Sequence, residues 1–174
     1  EGNQVYALLV DGLGHGIEAC EASQLAVKRF KENLGTAPST SQLMQILHKS
    51  LRGSRGAVAA VAKIQPSKNK IDYCGLGNIS GVVQTADQRK HLVSMNGTVG
   101  YEASKFMEFS VPWTAESILV MHSDGFSSRT LDSLPEVENK SSPLIAGWLF
   151  QHHAKNIDDA TVLVLKQSTK ARGK

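Results

Sequence analysis

Between Ala57 and His122 the chain is a succession of short apolar runs parted by turn residues, with no helical stretch between them. The runs Ala57–Ile64, Lys70–Gly75, Ile79–Thr85, Lys90–Met95, Phe106–Val111 and Ser117–His122 alternate with clusters such as Pro66-Ser67-Lys68-Asn69 and Ala86-Asp87-Gln88. Parallel neighbours need a crossover of about a dozen residues or more, usually a helix, so strands this closely spaced pair antiparallel. Helical periodicity is confined to the flanks. One helix runs from Ile17 to about Asn33-Leu34, with Gly35 placed to cap it. A second carries Leu43, Ile46, Leu47 and Leu51 on one face and stops at Gly53. A third spans Leu144–His153. Val5–Val10 and Thr161–Lys166 are further strands. Helices segregated outside antiparallel sheets define an α+β chain, not a doubly wound one.

Length and composition narrow the class. At 174 residues the chain has one domain's worth of core, and 41% hydrophobic with 20% charged residues describes an ordinary globular protein. No apolar run is long enough to cross a bilayer, so no membrane partner is expected. The net charge of +3 comes partly from the Lys166–Lys174 end, and with only 6% aromatics there is no basic stripe interleaved with rings, so no nucleic-acid partner is expected. Cys20 and Cys74 lie far apart without metal-ligand spacing, which reads as two reduced thiols in a cytoplasmic protein.

The chemistry gathers where strands end. VDGLGHG, Val10–Gly16, packs three glycines around Asp11 and His15 directly after an apolar run. That backbone freedom fits a phosphate cradle, a metal site, or simply a tight strand-to-helix turn. Asp124 follows Ile118–Met121 in HSDG, and Asp158 and Asp159 precede the last strand in DDATVLVL. A lone Asp-Gly is usually a turn. Acids at three buried strand ends repel one another unless a cation lies between them. Hard divalent ions take oxygen ligands, and a glycine beside the acid lets its own carbonyl reach the ion. Two such ions can activate a water and neutralise a phosphate.

VDGLGHG, GLGNISG (Gly75–Gly81), NGTVG (Asn96–Gly100), MHSDGFSSR (Met121–Arg129) and DDATVLVL (Asp158–Leu165), in that order, closely resemble the SpoIIE-like branch of the PPM-type (PP2C-like) metal-dependent serine/threonine phosphatases. The nearest likeness is to the compact bacterial type found in stress-response partner-switching systems. The resemblance implies an αββα sandwich of two mainly antiparallel sheets with a dinuclear site at one end. It implies Mn²⁺ or Mg²⁺, two ions in the complete domain. The implied substrate is a phosphoserine or phosphothreonine on a regulatory protein of the STAS, anti-anti-sigma kind. Asp11 matches the acid that bridges both metals, Gly12 the carbonyl donor, Asp124 the acid of the second Asp-Gly, and Asp158 the ligand of the last motif. Asp159 stands where many relatives have Asn, and reads as a support to the ligands. His15 matches a family position suited to a general acid. Relatives carry another acid upstream, typically in Gly-Asp, before Glu1 of this sequence. The expectation is therefore a phosphatase domain over 1–167 that lacks its first strand, open to self-association along the uncovered edge, followed by a basic tail over 168–174.

Other polar residues read as structural. His122 ends a strand beside Ser123, and the adjacent His152 and His153 point different ways from a helix. Ser123, Ser127 and Ser128 lie in no G-x-S-x-G elbow. GLGNISG lacks the Lys-Ser/Thr ending of a P-loop and reads as a tight hairpin, with Asn78 able to orient a neighbour. Arg52 and Arg55 are candidates for phosphate contact. The readings that compete with the phosphatase are a non-catalytic module of the same fold that binds a signalling partner, and a metallohydrolase of a small phosphoester.

Overall fold

The computed structural model describes residues 4–37, 39–85, 88–127, 129–132, 134, 140–155 and 158–167. Glu1, residues 86 and 87, Ser128 and the tail 168–174 lie outside the described residues. In chain order the strands are β1 (Val5–Gly12), β2 (Ala57–Gln65), β3 (Lys70–Leu76), β4 (Ser80–Gln84), β5 (Arg89–Leu92), β6 (Ser94–Met95), β7 (Gly97–Thr98), β8 (Glu102–Ala103), β9 (Phe109–Pro112), β10 (Ile118–His122) and β11 (Val162–Lys166). The helices are α1 (Ile17–Asn33), α2 (Thr40–Ser50) and α3 (Ser142–His153).

Two sheets stack. The first runs β1-β2-β3-β6, with β9 also on β3; the second runs β11-β10-β4-β5. All the pairings within them are antiparallel except the short one between β3 and β6. The period-two alternation of β2 shows why four layers form. Ala57, Ala59 and Val61 face α1 and α2 through Ala26, Phe30, Leu43, Met44 and Leu47. Val58, Ala60 and Ala62 face the other sheet through Ile79, Val83, Leu119 and Met121. β2 is buried on both faces, which its alanine-rich sequence permits at close spacing. On the far side Ile145 and Leu149 of α3 cover Val82, Ile118 and Val120. The result is an αββα sandwich, as the resemblance implied.

Several boundaries differ from expectation for identifiable reasons. Lys90–Met95 is not one strand. It breaks at the exposed Val93, β5 staying with β4 while β6 crosses to β3 in the other sheet. Phe106–Val111 begins to pair only at Phe109, opposite Tyr73. β7 and β8 form a two-residue hairpin too short to show a period. Gly35 does not act as a left-handed cap; Leu34 at the C-cap of α1 keeps right-handed geometry. Gly53 does take positive φ, 83°, after α2. The start of α2 is held from a distance. The Glu108 carboxylate accepts from the Thr40 backbone N–H and hydroxyl, both at 2.6 Å, which satisfies donors that a helix N-terminus leaves open.

Candidate metal centre at the end of the sandwich

β1 ends at Asp11-Gly12, β10 is followed by Ser123-Asp124-Gly125, and Asp158-Asp159 lead into β11. Since β1 belongs to one sheet and β10 and β11 to the other, stacking brings these termini together. Asp11, Gly12, Gly14, His15, Asn78, Asp124, Asp158 and Asp159 share one cavity of about 270 Å³.

Both Asp-Gly glycines are explained by close packing. A Cβ on Gly12 would run into the Ala19 carbonyl of α1, and one on Gly125 into the Asp159 carbonyl. In each case a missing side chain lets a second backbone segment approach the acid-bearing turn. This role is additional to the carbonyl-donor role that the resemblance implies for Gly12. Gly14 and Gly16 take positive φ, 77° and 86°, and turn the chain from β1 into α1.

The electrostatics are one-sided. Asp11 is half-buried, while Asp124, Asp158 and Asp159 are exposed. Burial first, then the charges of Asp124, Asp158 and Asp159, push the Asp11 carboxyl above its ordinary value. Little inside the cavity answers that charge. Asn78 Nδ2 donates to Asp124 Oδ2 at 2.7 Å, and Lys155 Nζ donates to the Asp124 backbone carbonyl at 2.7 Å from outside. Asp158 Oδ1 accepts from the Asp159 N–H. The donor set is carboxylate oxygen and backbone carbonyl, which suits a hard divalent ion. Among the described residues no three acid, histidine or cysteine groups stand close enough to enclose an ion as placed. The carboxylates line the cavity without meeting at one point.

The other candidates fall outside this ring, apart from His15 and Asn78 on its wall. His122 is buried, its ring Nδ1 donating to the Ser123 carbonyl at 2.7 Å, and burial lowers its basicity. Ser123 Oγ accepts from the Thr161 N–H, tying β11 to the Asp124 turn. His152 stacks on Trp148, with ring centres 4.5 Å apart. Ser127 meets Thr130. Arg55 does not face the cavity as a phosphate ligand. Its Nε donates to the Leu13 carbonyl and its NH1 to Glu18, both at 2.9 Å, so it braces the glycine-rich turn. Arg52 lines a neighbouring groove of about 650 Å³ with Glu18 and Glu21. Cys20 and Cys74 are free, and burial pushes the Cys74 thiol up to about 12. The sequence left open what Asn78 orients; the structure pairs it with Asp124, 46 residues away.

A four-layer sandwich carrying strand-end carboxylates in a cavity at one end is the architecture of the PP2C-type serine/threonine phosphatases. The chain belongs to the stage II sporulation protein E (SpoIIE) family, whose model matches residues 1–168. It is 23% identical over 162 residues to phosphoserine phosphatase RsbX of Bacillus subtilis, an alignment covering 92% of this chain and 80% of that one. A crystal structure of RsbX with magnesium superposes with a TM-score of 0.81 at 21% identity, over 94% of this chain and 81% of the other. A chain from work on the bacterial stressosome gives 0.84 at 24% identity, over 94% and 85%. The serine/threonine phosphatase PstP of Mycobacterium tuberculosis gives 0.66 at 13%, over 94% and 91%. These structural likenesses are likenesses of fold. No helix among the described residues is long and apolar enough to cross a membrane.

Proposed function

We propose that this PP2C-type phosphatase hydrolyses phosphoserine or phosphothreonine on a regulatory protein of a bacterial partner-switching pathway, and that it depends on two divalent ions, Mn²⁺ or Mg²⁺. The observation that carries the reading is Asp11, half-buried and facing three other carboxylates across a cavity with few donors. Bound there, divalent ions would neutralise the phosphate and supply an activated water.

Asp11, the Gly12 carbonyl, Asp124 and Asp158 hold the ions in this reading. Asp11 has the largest share, because burial leaves its charge least screened by solvent. Asp159 supports Asp158 from the next position. His15, which lines the cavity, holds a proton for the departing serine or threonine oxygen in this reading. A cavity of about 270 Å³ has room for a phosphorylated side chain presented by a folded protein. The identity of RsbX as a phosphoserine phosphatase and the fold shared with a stressosome-related chain support a partner of the STAS, anti-anti-sigma type. A cytoplasmic site of action goes with such a partner.

Phosphate release from a phosphoserine STAS-domain protein, measured with Mn²⁺ and then with excess EDTA, tests this. Turnover should require the metal, and Asp124→Asn should reduce it at least 100-fold, on the order expected when a ligand of a catalytic ion is lost. Undiminished turnover in EDTA would exclude the mechanism.

A further inference from the structure

The cavity is ringed by acceptors, and Asn78 brings a side-chain amide donor to its wall. Resting on the metal-site reading above, the geometry points to Asn78 as the residue that pre-sets Asp124 for the ion. It is a positioning residue and not itself a ligand.

Three observations carry this. First, Asn78 Nδ2 donates to Asp124 Oδ2 at 2.7 Å. A carboxylate has two oxygens, and occupying one with a donor fixes its rotation and leaves the other for the cavity. The same bond offsets part of the repulsion between Asp124 and Asp11 while no cation is present. Second, Asn78 is held by the fold, although its side chain is exposed. The Gly77 N–H donates to the Met95 carbonyl at 2.8 Å, Ser94 Oγ donates to the Ile79 carbonyl at 2.8 Å, and Tyr73 Oη meets Ser94 Oγ at 3.0 Å. Gly77 itself, at φ 94°, has no room for a Cβ beside Val58. The turn is therefore pinned on both sides of Asn78 by β6, the short strand that crosses from one sheet to the other. Third, the amide is neutral. An acid at this place would add a further negative charge to the ring, and a lysine would place a competing cation in it. A neutral donor orients the carboxylate and keeps its charge for the metal.

Calorimetric titration of Mn²⁺ into wild type, Asn78→Leu, Asn78→Ala and Asp124→Asn decides it. Both Asn78 variants should bind Mn²⁺ about tenfold more weakly, the lower end of the loss seen when a partner of a metal ligand is removed. The Mn²⁺ concentration for half-maximal turnover should rise by the same factor, with kcat at saturating Mn²⁺ unchanged within about twofold. Asn78 is exposed, so the leucine and alanine variants leave the core intact, and cooperative melting of each verifies folding. Wild-type Mn²⁺ affinity in both Asn78 variants, with binding lost in Asp124→Asn, overturns the role of Asn78 and leaves the metal site standing. A fall in kcat at saturating metal with affinity unchanged also overturns it. Unchanged affinity in Asp124→Asn removes the metal-site reading itself, and the role of Asn78 with it.

Discussion

The first sheet carries two aspartates at opposite ends, and their surroundings could hardly differ more. Asp72 on β3 is 5% exposed and accepts hydrogen bonds from Gln65 Nε2, Lys70 Nζ and Ser110 Oγ. Asp11 on β1 is more exposed, yet the groups that face it are three more carboxylates. Three donors within the protein meet the two oxygens of Asp72, so it is structural. Asp11 is held among like charges, which costs the fold free energy that a bound cation would relieve. A buried acid is evidence of a site when its neighbours are acceptors, and evidence of architecture when they are donors.

That contrast can be broken from either side. The largest effect is expected from Gly125→Ala, whose Cβ would meet the Asp159 carbonyl and push apart the two strand ends that bring Asp124 and Asp158 to the cavity. Overpacking against backbone costs about 3 kcal/mol, and denaturant unfolding together with Mn²⁺ titration should show lost stability and lost affinity in one variant. Asp72→Ala should cost about 2 kcal/mol, because Lys70, Gln65 and Ser110 lose a buried partner. Its phosphate release per folded molecule should match wild type, as the residue lies far from the cavity. The smallest effect is one of pH. His48 is buried on α2 and its Nδ1 accepts from the Gly100 N–H, and burial together with Arg52 lowers its basicity in the fold. Protons therefore bind the unfolded chain first. Stability from His48 is complete well above its ordinary value of 6.5 and falls as pH drops through that value. Melting curves between pH 7.5 and about 5.5 should show a decline that His48→Gln reduces.

Much of this was legible in the sequence, and the physical boundary is clear. Continuous apolar runs of five or more residues, such as β2 and β10, announce themselves, as do α1 and α2. Two-residue strands such as β6 and β7 carry no period at all. They exist because the sandwich brings their backbones alongside partners. The strand-end acids could be picked out because each follows or precedes an apolar run, so their common end of the fold follows from stacking. Contacts between distant side chains could not be read in this way. Nothing local to Asn78 names Asp124, and nothing near Thr40 announces that Glu108, 68 residues on, will accept from its N–H and hydroxyl. Arg55 shows the same limit in reverse, since a basic residue beside glycine reads equally as a phosphate ligand or as the brace it proves to be.

The central claim is that Asp11 and its neighbours store repulsion that a divalent ion relieves. In the fold Asp11 gives up its proton at higher pH than in the unfolded chain, so its ionisation at neutral pH works against stability. The most direct test is the melting temperature of wild type and Asp11→Asn at pH 7, each in EDTA and in millimolar Mn²⁺. In EDTA the variant should melt above wild type. Mn²⁺ at about 100 times its dissociation constant should stabilise wild type by about 2.7 kcal/mol, a rise of several degrees, and leave the variant almost unmoved. A wild type indifferent to Mn²⁺, or an Asp11→Asn protein that melts no higher than wild type in EDTA, would contradict the account.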